Sequence, residues 1–413
     1  MSEDRPVIPD DIRSAVRLAN GPQFVAIPGP SMVPPQVLAA FSRPIPDIYE
    51  GELIEVSDEL WSTLPAIAGT TDAAQFVTIS NGHGAWEMAL ANTLSPGDHV
   101  LVANCGVFAA GWGELAAELG VLVELIDAAP GRAVDPADVY ARLHGDTEHE
   151  IKAVLVVHVD TASSARNDLA AIRRAIDEAD HPALLMVDAI ASLGCEEYRM
   201  DEWRIDVTVG ACQKGLMTPP GLAFVWAGPR ALEAHRTARL RSWYWSWTSR
   251  LDQSAHYLRY AGTPPVSHLY ALREALSMIE AEGLDHAWAR HAAIGGAVRA
   301  AVEAWSAPGG LSLNVTTPGE RANSVTTIRT GDVDAELLRR TCRESFGVTL
   351  GVGLRTFAGE AFRIGHMGYV SGASTLGVLG AIEATLTRIG APLGASSGVG
   401  AAARELADTA AGS

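Results

Sequence analysis

An α/β fold, with a largely parallel sheet covered by helices and a smaller α+β domain behind it, is what this chain predicts. Three observations lead there. From about Gln75 to Trp226, short apolar runs alternate with helix-patterned segments, the succession that builds parallel sheets. The polar residues that stand out in this region each follow one of the apolar runs, where the ligands of such sheets collect. And 413 residues exceed what a single core usually organises, so a large domain and a smaller one are expected.

FVTIS reads as the first strand of the succession and AWEMALANTL as its helix. HVLVAN, GWGELAAELG, LVELIDA, DPADVYARL, IKAVLVVHV, DLAAIRRAIDEA and PALLMVD follow, then DVTVGA and LAFVWA. Crossovers through helices make neighbouring strands parallel and bury both faces of the sheet. Asn81 and His83 after FVTIS, His158 after AVLVV, Asp188 after LLMV and Lys214 after TVGACQ therefore gather at one edge of one sheet. Beyond Thr263-Pro264-Pro265 the long helical stretches VSHLYALREALSMIEAEG and HAWARHAAIGGAVRAAVEAW read as a connector. From Ser306 to Gly390 strands such as SVTTIRT alternate with helices such as DAELLRRTCRESFG, and FRIGHMG carries the last strand. The boundaries this predicts are an N-terminal arm at 1–24, a large domain at 25–285 ending in the connector helix, a small C-terminal domain at 286–392 and a tail at 393–413 that frays after a short helix.

Composition narrows the function classes. A hydrophobic fraction of 48% with 19% charged residues is that of a globular protein. With 31 basic and 49 acidic residues the formal charge is −18, which opposes binding to nucleic acid or anionic membranes. Cys105, Cys195, Cys212 and Cys342 lack metal-site spacing and read as reduced thiols, so neither a metal nor a disulfide framework is expected. The acidic start MSEDRPVIPDDIRS is unlike a signal peptide, and no apolar run approaches a membrane span. A cytoplasmic protein is expected.

Lys214 lies between two buried runs, across the turn GLMTPPG. A lysine there must pair, shift its pKa or carry chemistry, whereas the plain alternative is a loop lysine in water. Asp188 ends an apolar run and is costly unless it meets a cation or donors; its plain alternative is a helix N-cap for AIASLG. Together they suggest pyridoxal 5'-phosphate, the lysine holding the aldehyde and the aspartate keeping the pyridine nitrogen protonated. In SNGHGAWEMALANTL a strand ends in small residues and a helix opens with free N–H groups, which bind phosphate without net positive charge.

With these pieces the chain resembles the class V, fold type I aminotransferases that include the alanine-, serine- and aspartate-glyoxylate enzymes. The matching motifs run in order from IPGPSMVP through SNGHGAWE, NCGVF, HVDTASS, VDAIASLG, ACQKGLMTPPG and RYAGTPPV to FRIGHMG, over about nine-tenths of the chain. The resemblance implies that the large domain holds a mostly parallel seven-stranded sheet. It implies Lys214 as the covalent cofactor lysine, Asp188 as partner of the pyridine nitrogen and Phe108 as the stacking ring. Gly82, His83 and Gln213 are implied as phosphate contacts, with Tyr260 and Thr263 reaching the phosphate of the neighbouring subunit, so that a homodimer completes the site. Thr161 is implied on the cofactor face and Arg363 as the fork that grips the substrate carboxylate. His366 is expected near the entrance beside Arg363, and His158 to be a core or cofactor-layer residue rather than a metal ligand.

The pattern departs from the family at Phe108, where tryptophan is usual, at Asp160 for glutamate and at Ser164 for glycine. Where glyoxylate enzymes carry His-Arg-Ser, this chain reads PIPDIYEGEL, a tyrosine- and acid-bearing stretch like that of the pyridoxamine-pyruvate branch. The expected function is ping-pong transfer of an amino group from alanine, serine or aspartate to glyoxylate or pyruvate. The alternatives are a pyridoxamine-pyruvate-type enzyme, or a lyase of the desulfurase or kynureninase kind. A desulfurase needs a mobile thiol, and Cys342 within RRTCRESFG reads as buried and inert.

Overall fold

The computed structural model describes residues 18–240, 242–252 and 254–411. Most of the N-terminal arm therefore lies outside the described residues. Twelve strands among them form two sheets. In chain order these are β1 (Phe24–Ala26), β2 (Ala74–Ile79), β3 (His99–Asn104), β4 (Leu122–Asp127), β5 (Ile151–Val157), β6 (Leu184–Asp188), β7 (Val207–Ala211), β8 (Leu222–Ala227), β9 (Ser312–Leu313), β10 (Val325–Arg329), β11 (Val348–Val352) and β12 (Ala361–Gly365).

The larger sheet has seven strands in the order β2-β8-β7-β6-β5-β3-β4, and all pairings are parallel except those of β8 with its two neighbours. Its central strands are buried from end to end. Every residue of β6, β7 and β8 is buried, and in β5 only Lys152 is exposed, the near-continuous apolar pattern of a sheet covered on both faces. The edge strand β4 is half exposed and carries Glu124 and Asp127, charges that discourage further pairing. Some helix starts follow side-chain caps: Asp168 accepts from Ala171 N–H at 2.8 Å to open Leu169–Glu178, which buries Leu169, Ile172 and Ile176.

The second sheet runs β1-β11-β12-β10-β9. Only β1 with β11 is parallel. It has its own apolar core, including Leu338, Phe362, Ile364 and Leu379, apart from the core around the seven-stranded sheet. Two features differ from the sequence reading. Residues 24–26, placed at the junction of arm and large domain, form β1 and pair with residues 348–350 of the second sheet. The terminal stretch, expected to fray after a short helix, forms the 14-residue helix Gly398–Ala411, anchored where Ala402 packs into the second core and Val399 N–H meets Glu383 at 3.1 Å. Alanine-rich composition lowers the cost of helix formation, and that contact supplies what a low-complexity reading misses.

Candidate active site

The carboxyl ends of β2, β3, β5, β6 and β7 surround a cavity of about 300 Å³. Gly82, His83, Phe108, Thr161, Asp188, Gln213 and Lys214 all line it. These residues lie up to 132 positions apart (214 − 82) and come together because each follows a strand of one sheet.

Asp188 closes β6 and is 4% exposed. One carboxylate oxygen accepts from Ile190 N–H at 2.7 Å, the turn contact that the N-cap alternative anticipates, although a turn rather than a helix follows. The other accepts from Trp86 Nε1 at 2.9 Å. Burial pushes the acid up to about 7, opposed by these two donors and by the charge of Lys214. A cation placed in the cavity would restore its ionised form.

Lys214 follows β7 after Cys212 and Gln213. Its Nζ donates to Pro28 O. The segment that supplies this carbonyl is strapped onto the lysine turn: Ser31 N–H donates to Gln213 O at 2.9 Å, and Ser31 Oγ to Lys214 O at 2.7 Å. Gly29 is required there, since it has φ +92° and a Cβ would stand 2.5 to 2.7 Å from Lys214 Cδ, Cε and Nζ. Burial, then the neighbouring charge of Arg363, pulls the amine down to about 8, with Asp188 acting in the opposite direction.

The helix Gly82–Thr93 begins under the cavity, with Asn81 as N-cap accepting from His83 N–H at 3.1 Å. A Cβ at Gly82 would meet Ile190 Cδ1 at 2.2 Å, so any side chain there must push that isoleucine aside. Trp86, one turn in, carries the bond to Asp188. Phe108 lies at the start of the helix Val107–Glu118. Its N–H donates to Asp160 Oδ2 at 2.7 Å, while Ala162 and Ser163 N–H reach Oδ1 at 2.9 and 3.1 Å. One buried carboxylate thus ties the backbone of Phe108 to that of Ala162 and Ser163, next to Thr161. Burial raises the acid, and these backbone donors oppose the shift.

Arg363, on β12, does not line the cavity but faces its Thr161 wall. Nε donates to Val352 O at 2.7 Å and Nη1 to Thr161 O at 2.8 Å. Nη2 has no hydrogen-bond partner among the described residues, so two of the three guanidinium nitrogens are held. Gln213 Oε1 is buried and unpaired, a polar end that asks for a partner inside the cavity. Tyr260 and Thr263 do not join this cavity in the single chain. Tyr260 is buried with its hydroxyl donating to Ser57 Oγ at 2.8 Å, and Thr263 is exposed. His366 is buried and bonded to Asn323 O at 2.8 Å and Thr326 Oγ1 at 2.9 Å, set back from any entrance. His158 is a core residue against Tyr198 and Trp203, held neutral by burial with its pKa near 3. Cys342 is buried in the helix Ala335–Phe346, its thiol pushed up to about 11 by burial.

Sequence reasoning missed Trp86, Pro28 and Ser31. No local signal marks a tryptophan in AWE as the donor to an acid 102 residues away, or PGPS as a strap for a lysine turn.

The sequence model of the class-V aminotransferase family matches residues 52–371. The chain is 39% identical over 382 residues to the L-aspartate-glyoxylate aminotransferase of Paracoccus denitrificans, covering 92% of this chain and 94% of that protein. It is 36% identical over 393 residues to the serine-glyoxylate aminotransferase of Methylorubrum extorquens, covering 94% and 96%. Its structure matches that of the pyridoxamine-pyruvate aminotransferase from Mesorhizobium loti with a TM-score of 0.84 and 26% identity, over 95% of this chain and all of that one.

Proposed function

The chain belongs to the class-V aminotransferases, and on that premise we propose that it binds pyridoxal 5'-phosphate in this cavity and moves an amino group from a small amino acid to glyoxylate. The observation that carries the reading is the pairing of Asp188 and Lys214 on one cavity, an acid and an amine both driven toward neutrality by burial. The residues present fit the cofactor. The helix opening at Gly82 and the Nε2 donors of the Gln213 amide, turned toward the cavity, suit its phosphate, Phe108 and Thr161 suit its ring, Asp188 its pyridine nitrogen and Lys214 its aldehyde. When bound, the cofactor supplies an electrophilic carbon and an electron sink.

The chain's own groups do the rest. Asp188 holds a proton on the ring nitrogen, with Trp86 Nε1 fixing the carboxylate that does so. Lys214 Nζ would take the proton from the substrate's α-carbon and return it on the other side of the transfer. Pro28 O, which already accepts from Nζ, holds the free amine close by. Arg363 Nη2 takes the substrate carboxylate. Replacing this fork by lysine keeps the charge and loses the geometry. Arg363→Lys is expected to raise KM for the amino acid and for glyoxylate by about 10- to 100-fold, the worth of a hydrogen bond to a charged group, and steady-state kinetics with both substrates checks it.

Aspartate, serine and alanine are the donors proposed, from the similarity to enzymes named for the first two. A pyridoxamine-pyruvate reaction is the second reading. Tyr49, in PDIYEGEL, is 71% exposed, outside its own chain's cavity and free to meet a second copy. With Thr263 exposed as well, a homodimer whose interface completes each site is part of the proposal. The desulfurase form of the lyase reading is disfavoured because Cys342 is fully buried. A cytoplasmic location is also proposed, supported by four free cysteines; among the described residues no helix is long and apolar enough to cross a membrane.

The cofactor reading is tested with cofactor-free protein mixed with pyridoxal 5'-phosphate at a series of pH values. Only an unprotonated amine attacks an aldehyde. With Lys214 near 8, instead of about 10.5 in water, the rate of uptake is expected to climb up to about pH 8 and then level off. A rate still rising past pH 10, or no saturable uptake, contradicts the assignment.

A further inference from the structure

The turn that begins at Asp188 ends at Glu196, and Glu196 has no part in the site so far described. It is 1% exposed. Its carboxylate accepts from Asn323 N–H and, at 3.0 Å, from Asn323 Nδ2. Asn323 lies just ahead of β10 in the second sheet, so the contact crosses from one sheet's loops to the other's. Around it stand Arg166 Nη1, 3.7 Å from Glu196, and Arg299, which donates to Ala322 O at 2.9 Å.

From Asn323 the path leads to the end of the strand that carries Arg363. Asn323 O is bonded to His366 Nδ1 at 2.8 Å, and the other ring nitrogen of His366 meets Thr326 Oγ1 at 2.9 Å. His366 follows the end of β12, three residues after Arg363, and β10 pairs with β12 with Thr327 opposite Arg363. On the other side, Ile190 and Ala191, in the same turn as Glu196, line the cavity. Glu196 thus grips the strand pair that presents the carboxylate-binding arginine and holds it to the turn that leaves Asp188.

A buried carboxylate is a poor device for stability alone, because desolvation consumes most of what its partners return and an apolar contact would serve as well. Burial lifts Glu196 to about 7 against the pull of Arg166 and Asn323. What a bidentate acceptor gives that an apolar contact cannot is register: it fixes where Asn323 sits along both of its donors.

We propose that Glu196 is a positioning residue that sets the distance between Arg363 and the Asp188–Lys214 cavity, and through it the affinity for substrate carboxylates. The inference rests on the transaminase reading. Glu196→Gln keeps one acceptor and presents an amide donor toward Asn323 Nδ2, while Glu196→Ala removes both acceptors. The expected result is a rise in KM for amino acid and oxo acid alike, about tenfold for Glu196→Gln and up to about 100-fold for Glu196→Ala. kcat should stay within about threefold, and the affinity for pyridoxal 5'-phosphate, followed by absorbance, should not move. In Arg363→Lys protein the further change Glu196→Gln should add little to KM, because the two act through one contact. Should Glu196→Ala fail to fold, Glu196→Gln and Asn323→Ala carry the test.

A lowered melting temperature with KM unchanged overturns the proposal, as does a loss of cofactor affinity in step with KM, or full additivity with Arg363→Lys. Failure of the underlying reading looks different: the unaltered protein then takes up no cofactor and transfers no amino group.

Discussion

Lys214→Ala is expected to lower kcat/KM for amino transfer by at least about 10⁴-fold, the upper range for loss of a positioned proton-transfer group, while the fold persists. The site explains why no neighbour substitutes. Among the cavity-lining residues Lys214 is the only primary amine, and Pro28 O, Gly29 and Ser31 are arranged around its side chain and backbone. Arg363, the nearest other cation that acts on it, is tied to Val352 O and Thr161 O and cannot surrender a proton at ordinary pH. Small external amines should restore part of the rate in the alanine variant. Circular dichroism and single-turnover kinetics together check the outcome; a variant retaining a tenth of the activity would remove Lys214 from the chemistry.

The second large effect is expected at Asp188. Asp188→Asn retains an acceptor oxygen for only one of Trp86 Nε1 and Ile190 N–H and cannot carry the charge that keeps a ring nitrogen protonated. The expected loss in kcat is about 10²- to 10⁴-fold, with the affinity for substrate carboxylates nearly unchanged because Arg363 is untouched. The sign for stability is opposite. Burial raises the folded-state pKa of Asp188 to about 7, above its unfolded value, so without cofactor its contribution to stability is full below about pH 4 and lost as pH rises through about 7. Cofactor-free Asp188→Asn protein is therefore expected to gain melting temperature relative to the parent as pH rises from about 5 to 8. Differential scanning calorimetry across that range checks it.

Much of the architecture was legible because burial on two faces leaves an unmistakable mark. LLMVD, VTVGA and LAFVWA have no alternation at all, and their spacing by helical patterns leaves few topologies open. The position of Asp188 and Lys214 at strand ends followed from the same pattern. Their mutual approach to one cavity required the sheet order, in which β6 and β7 are neighbours. Arg363 was legible only through resemblance, since nothing local to FRIGHMG distinguishes a ligand fork from a salt bridge; the structure places its charge against backbone carbonyls instead of an acid.

What escaped the sequence reading was contact between distant pieces. Trp86 to Asp188, Ser31 to Lys214 and Glu196 to Asn323 span 102, 183 and 127 residues, and hydrogen bonds of that separation leave no period or spacing behind. The pairing of Phe24–Ala26 with β11 is of the same kind: three residues are too few to announce a strand.

Whether one site runs two half-reactions is decided by mixing cofactor-loaded protein with one amino acid at a time, and separately with pyridoxamine, and following the cofactor's absorbance before any oxo acid is added. Aspartate, serine or alanine is expected to convert the cofactor stoichiometrically, and glyoxylate then to restore it, returning glycine. Restoration without an oxo acid, with release of sulfide or alanine from cysteine or kynurenine, would contradict this and make the protein a lyase.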